Sequence, residues 1–213
     1  MFTGSQSVVN SLLIPSFLRS LRAANRSDRT IETYSEAVEQ FARFLAENGM
    51  PTDPAKITRE HVESFIESLL EKWKPATAAN RYRSLQQYFK WLVEEGEIKA
   101  SPMDKMKAPK VPEQTPQVLT EADLTKLLKA CEGKSYEDRR DTAIIRLLLD
   151  TGVRRAELAG LTLEDVDLEA QTLRVLGKGG RIRVVPFGRK AARDLDRYLR
   201  LRQQRDDAYL DQL

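Results

Sequence analysis

Apolar residues recur at spacings of three and four through roughly the first hundred positions, and that period predicts amphipathic helices. Phe17, Leu18 and Leu21 give the inner face of a short helix that Pro15 can open. Ile31, Tyr34, Val38, Phe41 and Leu45 predict a second, capped by Ser27-Asp28 and ended by Asn48-Gly49. Thr58 caps a third with Val62, Phe65, Ile66, Leu69 and Leu70 inward. Pro75 breaks the chain, and Thr77 starts a fourth with Tyr82, Leu85, Phe89 and Leu92 inward, ended by Gly96. Four such helices predict a small bundle. On the fourth, Asn80, Arg83, Gln87 and Lys90 share a face away from the apolar stripe, with Arg81 at the stripe's edge. Amides and cations on one face suit groove reading or phosphate contact; the plainer alternative is a solvated face.

The period lapses between Ser101 and Pro116, which hold four prolines and predict an extended, semi-rigid linker. Thr120-Glu121-Ala122-Asp123 has the form of a capping box opening a helix with Leu124, Leu127 and Leu128 inward. Asp138 or Asp141 starts the next helix. Its stretch Ala143-Ile144-Ile145-Arg146-Leu147-Leu148-Leu149 is apolar on nearly every side and predicts full burial. Gly152 suits a left-handed stop, and Arg154-Arg155 open a new helix carrying Leu158 and Leu161. Leu173 to Leu176 and Arg181 to Val185 read as strands of a hairpin around Gly177-Lys178-Gly179-Gly180. Lys190 to Gln204 predicts a long, very basic helix with Leu195, Tyr198, Leu199 and Leu201 on its apolar side.

Composition narrows the chemistry. The 213 residues carry a formal net charge of +3, too little to argue for nucleic acid unless the cations are segregated. One cysteine, Cys131, and one histidine, His61, exclude an internal disulfide and a His/Cys zinc site, and point to a reducing cytosol. His61 follows the cap Thr58 and is read as structural or solvent-exposed. No run is long enough to span a membrane, and Val8 to Leu21, broken by Asn10, Ser11, Pro15 and Arg19, is not read as a signal peptide. The best candidates for chemistry are Arg154 and Arg155. A guanidinium held between a helix end and a helix start suits a phosphate; the other reading is an ion pair of Arg154 or Arg155 with Glu157 or Glu164.

Asp150-Thr151-Gly152-Val153-Arg154-Arg155-Ala156-Glu157-Leu158-Ala159-Gly160-Leu161 resembles the first-arginine motif of the tyrosine recombinases, the phage integrase and Xer-type family. Leu176-Gly177-Lys178-Gly179-Gly180-Arg181-Ile182-Arg183-Val184-Val185-Pro186 resembles that family's lysine hairpin, 24 positions on from Arg154 to Lys178. Thr30 and Tyr34 resemble its N-terminal Thr-x-x-x-Tyr signature. The resemblance implies a mainly α fold with a small β-hairpin or sheet. An N-terminal helical bundle, a SAM-like core-binding domain, would span 1–103, a linker 104–117, and a partial α+β catalytic domain 118–213.

It also implies a mechanism. A tyrosine attacks a DNA phosphate to form a 3′-phosphotyrosyl bond, two arginines stabilise the five-coordinate phosphorus, and the lysine protonates the leaving 5′ oxygen. No metal and no nucleotide cofactor is called for. By residue match Arg154 is the first arginine and Lys178 the general acid; Glu157 orients the Arg154 helix. Arg181, Arg183, Lys105 and Lys107 join Thr30, Tyr34, Asn80, Arg81, Arg83, Gln87 and Lys90 as DNA contacts, with Lys110 beside them in the linker. The partner is double-stranded DNA, and family members assemble as homotetramers.

The chain departs from the pattern in holding no His-x-x-Arg motif and no late tyrosine; Tyr198 and Tyr209 lie too early, in a helical pattern. The expectation is a DNA-binding part of a site-specific recombinase, catalytically incomplete, monomeric in solution and cytoplasmic, either a truncated piece or a natural fragment. Two other readings stand beside it: a short DNA-binding regulator competing at recombination sites, and a helical interaction module without DNA.

Overall fold

The computed structural model describes residues 13–113 and 115–205. Among these the chain forms two compact units that divide after Thr115.

The first unit contains α1 (Ile14–Ala23), α2 (Asp28–Glu47), α3 (Arg59–Lys72) and α4 (Pro75–Glu94). Local chemistry sets their ends. The Ser27 side chain accepts from the Thr30 amide at the start of α2. At α3, His61 Nδ1 accepts from the Thr58 amide at 3.0 Å, so the lone histidine completes a cap. Pro75, expected to break the chain, instead occupies the first turn of α4, where its missing N–H costs nothing. The helix α4 packs on α2 and α3, and α1 on α2. Phe17, Phe41, Phe65, Tyr88 and Phe89 fill the centre with tilted and edge-on ring contacts. Leu70, expected inside, is exposed. The start of the expected linker is not extended: residues 101–106 form turns, Met103 is buried in the bundle core and Met106 packs against it. Two apolar side chains in that segment had a core to join, and burial outweighed the proline stiffness.

The second unit contains α5 (Glu121–Ala130), α6 (Tyr136–Thr151), α7 (Arg155–Ala159), β1 (Val166–Asp167), β2 (Thr172–Leu176), β3 (Ile182–Pro186) and α8 (Arg189–Arg202). The sheet is antiparallel in the order β1-β2-β3, with Val175 opposite Arg183 and Leu176 opposite Ile182. The two-residue β1 was not expected from the sequence. Leu173 and Val175 face a core completed by Ala143 and Leu147 of α6 and Ala191, Leu195 and Tyr198 of α8.

Three expectations change here. The helix α6 starts at Tyr136 behind the cap Ser135, ahead of Asp138. It is not buried all round: Ala143 and Leu147 are buried, while Ile144 and Leu149 are exposed. The helix α5 has its Thr120–Asp123 capping box but no buried residue, and Leu127 is exposed. No helix among the described residues is long and apolar enough to cross a membrane.

Candidate phosphate and DNA contacts

Gly152 ends α6 at φ 62°, ψ 18°, a left-handed conformation that costs glycine nothing. The chain then reverses through buried Val153 and delivers Arg154 as the N-cap of α7. Glu157, three residues on, turns back to it: Oε2 accepts from the Arg154 amide at 2.9 Å and Oε1 from Arg154 Nη1 at 3.0 Å. The antiparallel register brings Arg183 of β3 to the same carboxylate. Arg183 Nη1 donates to Oε1 at 3.0 Å and Nη2 to Oε2 at 2.8 Å, a bidentate pair. The Glu157 side chain is 7% exposed and that of Arg154 is 75% exposed. One carboxylate therefore sits beneath two guanidiniums, and the outer one faces solvent with most of its donors open. The Arg183 guanidinium, then the Arg154 amide, hold the Glu157 carboxyl at about 2, well below the ordinary carboxylate range.

Of the two sequence readings of Arg154, the structure shows the ion pair with Glu157. The pair occupies only one edge of the Arg154 fork. The bridge to Arg183 lies 26 positions away and has no periodic signal in the sequence. Gly177 belongs to the same arrangement: a Cβ there would stand 3.1 Å from Arg183 Nη1 and 3.3 Å from the Arg181 carbonyl. Lys178 opens a short turn, Lys178–Gly180, in the loop between β2 and β3, and Arg181 is exposed at its end. Arg155 has no ion pair with Glu164.

In the first unit Asn80, Arg83, Gln87 and Lys90 are exposed on α4, with Lys90 3.6 Å from Glu94. Arg81 differs. It turns inward to Glu36 of α2 at 2.9 Å and to the Thr33 carbonyl at 3.4 Å, and ties two helices together. Thr30 lies in the first turn of α2, its hydroxyl 2.8 Å from that of Ser27, and Tyr34 stacks on Phe17. Lys105, Lys107 and Lys110 are exposed.

The phage integrase family model matches residues 117–210, and the model of the phage integrase N-terminal SAM-like domain matches residues 13–97. The chain is 34% identical over 178 residues to the tyrosine recombinase XerC of Thermodesulfovibrio yellowstonii. It is 30% identical over 189 residues to XerD of Shewanella oneidensis. The chain belongs to the tyrosine recombinase, or phage integrase, family.

It spans about three-fifths of the length of these relatives, 58% of the XerC and 62% of the XerD, while the matches cover 83% and 88% of the chain itself. Its fold matches a lambda integrase dimer bound to a COC′ core site, with a TM-score of 0.70 at 19% identity over 92% of this chain and 66% of that one. It also matches the Tn1549 transposon integrase in complex with circular intermediate DNA, with a TM-score of 0.64 at 21% identity over 88% of this chain and 63% of that one. Tyr198 is buried in the second unit's core, its hydroxyl 3.3 Å from that of Tyr136, and burial pushes its phenol up to about 12. That is a packed phenol. Tyr209 lies outside the described residues.

Proposed function

We propose that the chain is the DNA-holding part of a site-specific recombinase that cuts and rejoins duplex DNA through a 3′-phosphotyrosyl intermediate. The observation that carries this reading is the Glu157 carboxylate beneath Arg154 and Arg183, which fixes an outward guanidinium beside the glycine-rich hairpin. The open donors of Arg154 stabilise charge growing on phosphorus. Lys178, on the hairpin loop, gives its proton to the leaving 5′ oxygen. Asn80, Arg83, Gln87 and Lys90 read or grip the duplex through the exposed face of α4, and Lys105 and Lys107 follow the backbone.

The phosphotyrosyl bond conserves the energy for rejoining, so the reaction draws on neither metal nor nucleotide. The His-x-x-Arg string that would carry the second arginine and its histidine does not occur in this sequence, and Tyr198 is packed in the core. On this reading these residues hold DNA and do not themselves supply the covalent step, with the protein monomeric in solution and in the reducing cytosol.

Two measurements test this. Duplex affinity should fall by orders of magnitude between roughly 50 and 200 mM salt, and Arg83→Ala or Lys90→Ala should weaken it more than Arg154→Ala. Affinity indifferent to salt and to these substitutions sinks the DNA reading. An SDS-resistant adduct on a nicked duplex sinks the statement that the covalent step is missing.

A further inference from the structure

The helix α8 concentrates positive charge. Over Arg189–Arg202 it has six cations, Arg189, Lys190, Arg193, Arg197, Arg200 and Arg202, against Asp194 and Asp196. Its net charge of +4 exceeds the +3 of the whole chain, so the remainder of the molecule is slightly acidic. The segregation is also angular. At 3.6 residues per turn, Arg189, Arg200, Arg193, Arg197 and Lys190 fall within an arc of about 100°, in a row about 16 Å long. All five are exposed.

Three features set this row apart from a merely solvated face. Neighbours at i,i+3 and i,i+4 repel along its whole length, which destabilises the helix. Its first turn holds two cations, Arg189 and Lys190, and no acid, opposite to what the helix dipole favours. The local carboxylates do not neutralise it. Asp194, itself buried, is shared by Arg146, Arg193 and Arg197 at 3.2, 3.1 and 3.5 Å, one negative charge among three positive ones. Arg200 alone has Asp196. The row also starts beside the arginine turn, because the Gly188 amide at the N-cap of α8 donates to Asp150 Oδ2 at 2.9 Å, two residues before Gly152.

We infer that this row is a second backbone-binding surface for duplex DNA, continuous with the turn that carries Arg154. It deepens the DNA reading above and rests on it. Guanidinium forks suit phosphate oxygens, and four of the five cations in the row are arginines. A regular polyanion relieves the repulsion of every cation in the row at once. Its contribution is independent of base sequence.

The test uses the full chain and a mixed-sequence duplex. Arg189→Gln, Lys190→Gln and Arg200→Gln are combined, leaving the residues on Asp194 in place. The slope of log affinity against log salt should become shallower by about 2 to 3, at about 0.9 per lost phosphate contact, with a loss of roughly tenfold or more at low salt. Lys190→Glu is the second variant. An acid in the first turn favours the helix, so its melting temperature should hold or rise while DNA affinity drops, a divergence that a purely structural role does not produce. Unchanged slope and affinity in both variants, while Arg83→Ala still weakens binding, overturn the inference alone and leave the row to an acidic protein surface. If the parent chain shows no salt-sensitive binding, the underlying DNA reading fails with it.

Discussion

Gly152→Ala isolates what holds the arginine turn. At φ 62° an alanine is in a conformation that costs an L-residue about 1–2 kcal/mol. The structure adds no steric penalty, because a Cβ at Gly152 would meet nothing within 4 Å. Against this, alanine narrows the unfolded ensemble, which returns about 0.4–1 kcal/mol. The net loss is therefore about 1 kcal/mol, or a melting temperature lower by about 4–8 °C for a unit of this size. Gly152→Asn should lose less, since asparagine tolerates the left-handed region better. The chain supplies its own control. Both tryptophans, Trp73 and Trp91, lie in the first unit. Far-ultraviolet circular dichroism reports both units, whereas tryptophan fluorescence reports only the first. The dichroism transition of the second unit should shift while the fluorescence transition stays. A loss above about 3 kcal/mol would mean that the added methyl does collide. No loss would mean that the chain does not turn left-handed at Gly152. Either result refutes the account of how Arg154 is mounted.

With its folded value near 2 against an ordinary 4.5, Glu157 contributes stability that is present above pH 4.5 and lost as pH falls through 2. A carboxyl carbon titration by NMR should place its midpoint near 2, and a midpoint near 4.5 would dissolve the Arg154–Arg183 bridge. Arg81→Ala should lower the fluorescence melting transition of the first unit, because it removes the tie to Glu36 and Thr33, whereas Arg83→Ala should leave that transition in place; equal shifts would contradict the inward placement of Arg81. The tyrosinate absorbance that Tyr198→Phe removes should develop near pH 12, and DNA binding should survive the change. Titration near pH 10 would mean that Tyr198 is open to water.

Sequence by itself determined the elements whose causes lie within a few residues of each other. The spacing of Ile31, Val38, Phe41 and Leu45 already contains α2, and Thr120 with Asp123 already contains the start of α5. Gly152 announces its own left-handed turn. The two motifs around Arg154 and Lys178 were enough to name the family, because each is a continuous string. Tertiary structure decided whatever depends on partners far along the chain. Arg81 and Arg83 are two positions apart on one helix, yet only packing of α4 on α2 gives Arg81 to Glu36 and leaves Arg83 outside. The composition of α6 predicted burial on every side, but burial needs a neighbour, and Ala143 and Leu147 on the face that packs on α8 and the second unit's core have one while Ile144 and Leu149 do not. Met103 joined the bundle because a core was within reach. Glu157 could be seen to follow Arg154, but its second guanidinium arrives from β3 through strand register. Local periodicity contains no information about which distant strand will close on it.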